Sequence, residues 1–209
     1  MKTRILTPIL TLLALSSLAN AATTIYTTQA SFLAALSAVS SIETFDSLPA
    51  SGVSLAPVAF TPAGFSFTAT PAGIPVLFNY LQGGGDRWLS TNRDGDAITF
   101  SFTGGGPYAV GGFFFSTDAS GVANGASVTA TTNDGSTQAS GASTPLSFIG
   151  FISDAPITSL TLASTSGALT DFPTANNVTI AIPEPSSLGL VAVAALAGVM
   201  TRRRKTIAA

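Results

Sequence analysis

The chain has 209 residues, 46% of them hydrophobic and only 9% charged, with no cysteine and no histidine. Without thiols or imidazoles it offers no disulfide framework, no thiol nucleophile and none of the commonest ligands of zinc, copper or haem. Between Ala22 and Ile182 nine carboxylates stand against two cations, Arg87 and Arg93. So acidic a field repels phosphate backbones, which excludes nucleic acid as a partner.

Lys2 and Arg4 precede an apolar run at 5–18, and Ala19-Asn20-Ala21 satisfies the small-x-small rule for signal-peptide cleavage. This pattern predicts a secretory signal over 1–21, with the mature chain starting at Ala22. The stretch 22–182 that follows, about 160 residues, is long enough to bury a core without covalent staples.

A β-branched run at 23–28 leads into a predicted helix at 29–38, in which Phe32, Leu33 and Leu36 recur at helical spacing that Val39 continues just beyond. It reads as a small amphipathic lid on a sheet. Short strands separated by turn residues follow at 41–45, 53–60, 64–69, 75–79, 87–90, 97–103, 108–117, 126–132, 136–140, 144–152, 157–163 and 177–182, the spacing of a sandwich or barrel. Phe65 and Phe67 alternate with Ser66 and Thr68, and Ile98, Phe100 and Phe102 alternate with Thr99 and Ser101, so those apolar side chains belong to the core. Gly104-Gly105-Gly106-Pro107, Asn124-Gly125 and Asn133-Asp134-Gly135 supply the positive-φ positions of tight turns. The fold class is all-β. No repeat of twenty to fifty residues occurs, which excludes a solenoid.

Side chains able to carry chemistry are few. A glycosidase needs two carboxyl groups across the scissile bond, and Asp86, Asp94 and Asp96 are near one another in sequence, although Asp94-Gly95 also reads as a hairpin turn. Serine and threonine are abundant but have no histidine or lysine nearby to activate them. Trp88, the single tryptophan, is either a core ring or a sugar-stacking platform flanked by Arg87, Asn92 and Arg93. The expectation is a protein without catalytic activity. A carbohydrate-binding module built on Trp88 is the alternative, and a hydrolase ranks last.

The tail is the most specific stretch. Pro183-Glu184-Pro185 is held extended by its prolines. An apolar run at 188–200 follows, and the chain then turns basic at Arg202, Arg203, Arg204 and Lys205. As a helix the run covers about 20 Å. Its flanking serines and threonine and the snorkelling cations extend the tolerated span, predicting a transmembrane helix at 187–201 with the basic end in the cytoplasm.

In this order the three elements resemble the PEP-CTERM sorting signal of Gram-negative bacteria, also labelled the ice-binding protein C-terminal domain. The resemblance implies export, transient residence in the inner membrane, and processing near the tripeptide by an exosortase, a membrane-embedded cysteine protease. The protein would then reach the cell surface or extracellular matrix and associate with the envelope or exopolysaccharide. The stretch 22–182 also resembles the jelly-roll-like β-sandwiches that commonly precede such tails. The likeness rests on TQASFLAAL at 28–36, Glu43-Thr44-Phe45-Asp46 with Leu48-Pro49, DAITFSF at 96–102, GFFF at 112–115, GFISD at 150–154 with Ile157-Thr158-Ser159-Leu160, and Asn176-Asn177-Val178. Jelly rolls often tie first and last strands together with calcium, which takes six to eight oxygen ligands. Glu43, Asp46, Asn176 and Asn177, with Asp171, are the candidate ligands of a structural calcium ion if those strands are neighbours. Asn176 stands where the family usually has aspartate.

Overall fold

The structure is a computed structural model that describes residues 21–36, 40–49, 51–164 and 170–181. The expected transmembrane helix and basic cluster, and the signal peptide up to residue 20, lie outside these residues. The strands are β1 (Thr23–Tyr26), β2 (Ser40–Glu43), β3 (Gly52–Leu55), β4 (Val58–Phe60), β5 (Phe67–Pro71), β6 (Val76–Leu81), β7 (Arg87–Thr91), β8 (Ile98–Phe102), β9 (Ala109–Thr117), β10 (Val128–Thr132), β11 (Thr137–Ala139), β12 (Phe148–Ser153), β13 (Ser159–Ser164) and β14 (Phe172–Ala181); helix α1 spans Gln29–Ala35.

Two antiparallel sheets form a β-sandwich. The larger runs β1-β12-β9-β14-β7-β6-β3, with β2 also paired to β14, and the smaller runs β11-β10-β13-β8-β5-β4. Alternation builds the interior, because successive side chains of a strand point to opposite faces. Ile98, Phe100 and Phe102 of β8 are buried, and Thr99 and Ser101 between them are half-buried. Phe100 and Phe67 meet Leu89, Val110, Phe114, Phe151, Val178 and Ile180 of the larger sheet in one apolar cluster. Each such side chain contributes roughly 1.5–3 kcal/mol by leaving water.

Several boundaries differ from the sequence expectation. The single strand expected at 53–60 is two strands in different sheets, because Pro57 has no N–H to give a ladder and marks the crossing. The strand expected from 144 starts at Phe148, since Thr144 and Ser147 close a turn in which the Ser147 amide donates to the Thr144 carbonyl at 2.9 Å. β5 is displaced by a turn in which the Phe65 amide donates to the Pro62 carbonyl at 2.9 Å. β14 starts five residues before the expected position; Pro173, which reads as a breaker, sits next to its first residue.

Helix α1 stops at Ala35. Thr28 caps it, its Oγ1 accepting from the Ser31 amide at 3.3 Å, and Leu36 is already extended. It does lie as a lid on the larger sheet, but through one anchor. Phe32 is fully buried against Ala109, Phe148 and Ala181, whereas Leu33 is exposed. Gly150 makes the seat: a Cβ there would lie 2.6 Å from the Phe32 ring.

Candidate functional site

Of the residues that the sequence singles out, β14 holds Asn176 and Asn177. Along one side it pairs with β9 throughout. Along the other it pairs first with β7, through Thr174 and Ala175, and then with β2, through Val178 to Ala181. The handover needs an extra residue, and the register against β9 shifts between Asn176 and Thr179, with Asn177 at φ 50°. This is a β-bulge, a feature that re-aims side chains and strengthens local twist. Glu43 pairs opposite Val178, so the strands carrying Glu43 and Asn177 are indeed neighbours.

The side chains around the bulge partner one another. Asn176, 6% exposed, donates from Nδ2 to Asp86 Oδ1 at 3.2 Å and Oδ2 at 3.1 Å. Asp86 Oδ2 also accepts from the Trp88 indole N–H at 2.8 Å. Trp88 is 8% exposed, and its ring meets Phe115 edge-on at 4.7 Å within an aromatic cluster that includes Tyr80. It is therefore a packed ring with its polar handle satisfied, not a free stacking surface.

Arg87 is drawn into the same junction. Its amide donates to Asp46 Oδ1 at 3.0 Å, and its guanidinium Nη1 donates to the Asp46 carbonyl. Glu43 turns back on its own chain, with Oε1 accepting from the Phe45 amide at 2.9 Å. Burial pushes the Glu43 carboxyl above the usual carboxylate range; the Phe45 hydrogen bond opposes that shift and the Asp46 charge adds to it. Phe45 takes φ 62° and drops a fully buried ring 5.2 Å from Phe60. An αL conformation is costly for a bulky residue, and this burial offsets it.

The other predicted groupings come apart. Asn92 and Arg93 are exposed in the turn beyond the far end of β7, about 17 Å along the strand from Arg87 at some 3.3 Å per residue. Arg87, Trp88, Asn92 and Arg93 thus do not share one surface. The same strand separates Asp86 from Asp94 and Asp96. Asp94-Gly95 is a turn, with Gly95 at φ 70° and its amide donating to the Asp171 carbonyl at 3.2 Å. Asp171 is therefore the acid beside this turn. It is 4% exposed and its Oδ1 accepts from Asn124 Nδ2 at 2.7 Å. Neither the Asp86–Asn176 pair nor the Asp171–Asn124 pair is visible in the sequence, where the partners are 90 and 47 residues apart.

Of the candidate calcium ligands, Glu43, Asp46 and Asn176 already make hydrogen bonds within the chain, and Asp171 lies beside the Asp94-Gly95 turn with its Oδ2 buried and unpartnered. Asn176 Oδ1 is buried without a partner, but Asp86 is occupied by Asn176 and Trp88, and Asp46 and Glu43 accept from backbone amides of the chain. Among the described residues, no group of three or more His, Cys, Asp or Glu side chains could hold a metal.

Fold and site together define an all-β sandwich whose last strand leads straight into a tail. That tail is identified: residues 181–205 match the PEP-CTERM protein-sorting motif, confirming the resemblance of Pro183-Glu184-Pro185, the apolar run and the arginines. No curated protein matches the chain. Among the described residues no helix is long and apolar enough to cross a membrane.

Proposed function

We propose that the chain is an exported protein of a Gram-negative cell, anchored in the inner membrane by its tail and processed by an exosortase near Pro183-Glu184-Pro185. The released sandwich acts at the cell surface or in the extracellular matrix as a module without catalytic activity, associated with the envelope or exopolysaccharide. The observation that carries this reading is positional. The sorting motif begins at Ala181, the last residue of β14, so a cut near the tripeptide removes the tail and leaves every described strand in place. A chain without histidine or cysteine, whose Asp86 stands at the opposite end of β7 from Asp94 and Asp96, supports a role without catalysis.

Intact mass and fractionation of the epitope-tagged protein, in cells with and without the host's exosortase, test the reading. The expected result is a surface or medium form lacking Arg202, Arg203 and Arg204 in the first strain, and a membrane-held form retaining them in the second. A mature product that keeps its arginines, or a full-length cytoplasmic protein, would sink it.

A further inference from the structure

Among the described residues, the first to grip the sandwich is Ala22. Its backbone nitrogen donates to Asp154 Oδ1 at 2.8 Å, and its carbonyl accepts from the Asp154 amide at 3.2 Å. Next to it, Thr23 Oγ1 donates to Asp134 Oδ2 at 2.5 Å. Asp154 follows β12 of the larger sheet, whereas Asp134 lies in the β10–β11 turn of the smaller one. Two carboxylates, one from each sheet, thus hold the start of β1. Among the described residues β1 is an edge strand of four residues with β12 as its one sheet neighbour, and α1 follows it directly.

The Ala22 nitrogen is also the atom that signal-peptide removal would change. Hydrolysis of the Ala21–Ala22 bond adds water, leaves a carboxylate on Ala21, and frees an amine on Ala22 that takes up a proton near neutral pH. Before the cut this nitrogen is an amide with one hydrogen and no charge. After it, the same atom is an ammonium with three donors, already within hydrogen-bond distance of a carboxylate.

We infer that Asp154 is a docking site for the new α-ammonium of Ala22, so that cleavage converts a neutral hydrogen bond into an ion pair and fastens edge strand β1 to the sandwich. This rests on the reading that the signal peptide is cut after Ala21. Charge-assisted hydrogen bonds are roughly twice as strong as neutral ones, but Ala22 and Asp154 are exposed, so the gain is that of a surface pair. Asp134 adds a fixed negative charge beside the site. Burial works against its ionisation, but hydrogen bonds from Thr132, Thr23 and Ser136 outweigh this and bring its pKa to about 2.

The test compares two chains in mild detergent, both ending at Ala209: one starts at Ala22, and the other retains Asn20 and Ala21 ahead of it. Each is made with Asp154 and with Asp154→Asn. The chain with a free Ala22 amine is expected to melt about 2 °C higher and to exchange its β1 amides roughly threefold more slowly. Both differences should vanish in the Asp154→Asn pair. Equal midpoints and exchange in the two starting chains, or a difference that survives Asp154→Asn, would overturn the docking site. Intact mass of the exported protein addresses cleavage separately. A start other than Ala22 overturns the cleavage reading and the timing inferred from it, while the comparison on the Ala22 chain still reports on the ion pair by itself.

Discussion

The two faces of the larger sheet are built on different terms. Its inner face meets the smaller sheet mainly through aliphatic and phenylalanine side chains, one continuous cluster from Phe45 to Ile180, with buried Asn79, Thr91 and Ser116 in step with Leu77, Leu89 and Phe114 on their strands. Its outer face carries two separate aromatic groups, one under α1 around Phe32 and Phe148, the other around Tyr80, Trp88 and Phe115, with Phe113 adjoining both. The outer face also holds buried polar pairs, among them the Asp86–Asn176 contact. The inner face is stabilised by area removed from water, which tolerates many sequences of similar volume. On the outer face, each group depends on one or two particular partners.

Substitutions can break that contrast. The largest loss is expected where the smaller sheet covers the inner face, at Phe100 of β8. Phe100 is fully buried, with the Phe67 ring at 5.9 Å and the Phe45 ring at 6.4 Å, so Phe100→Ala should cost about 3–5 kcal/mol in chemical denaturation. Next comes Gly150→Ala on the outer face, where the added Cβ falls 2.6 Å from Phe32 and 2.9 Å from Phe148. Overpacking of this kind costs about 1–3 kcal/mol, and amide exchange should show the loss concentrated in α1 and β1. Were the effect spread evenly over both sheets, the helix seat would not be the separate unit described.

Asn176→Ala is expected to cost somewhat less, about 1–2 kcal/mol, by leaving the Asp86 carboxylate with the indole of Trp88 and no amide donor. Asn176→Asp should destabilise further by setting a second carboxylate against the first. The native chain engages the Asp86 carboxylate and Asp46 Oδ1 itself, so its melting midpoint should be the same in millimolar calcium and in chelator. A rise in calcium would mean that the bulge rearranges to bind the ion.

What could be read in advance follows the same division between faces. Alternation on β8 and β5 is a local property of the chain, so the core positions of Phe67, Ile98 and Phe100 were legible from spacing alone. The tail was legible for a similar reason: its three elements are contiguous. The outer face was not, because its contacts join residues far apart in sequence. Nothing near Trp88 announces Phe115 as its partner, and Arg87 gives no sign that Asp46 receives it. The neighbouring of β2 and β14 was conditional in the sequence and is met in the structure. The same closeness also brings in Arg87 and Asp86, whose contacts engage Asp46 and the amide nitrogen of Asn176. The division of 53–60 into two sheets was hidden because a period of two looks the same on either side of Pro57.

The smallest effects concern charge, and they separate two carboxylates of opposite tendency. Asp134 is lowered from 3.8 to about 2, so its contribution is fully present above about pH 4 and is lost as pH falls toward 2. Asp134→Asn should remove that acid slope from a plot of midpoint against pH. Glu43 is raised above 4.5, chiefly by burial. The folded state therefore binds its proton more tightly than the unfolded state does, and stability falls as pH climbs from 4.5 through the folded value. Glutamine keeps an oxygen to accept from Phe45 while carrying no charge to desolvate. Glu43→Gln is thus expected to equal or slightly exceed the native chain at pH 7, by a few tenths of a kcal/mol, with the advantage gone below about pH 4.5. A Glu43→Gln chain less stable than the native one at pH 7 would show that the Glu43 charge is needed at the β2–β14 junction, and would return the bulge to consideration as a cation site.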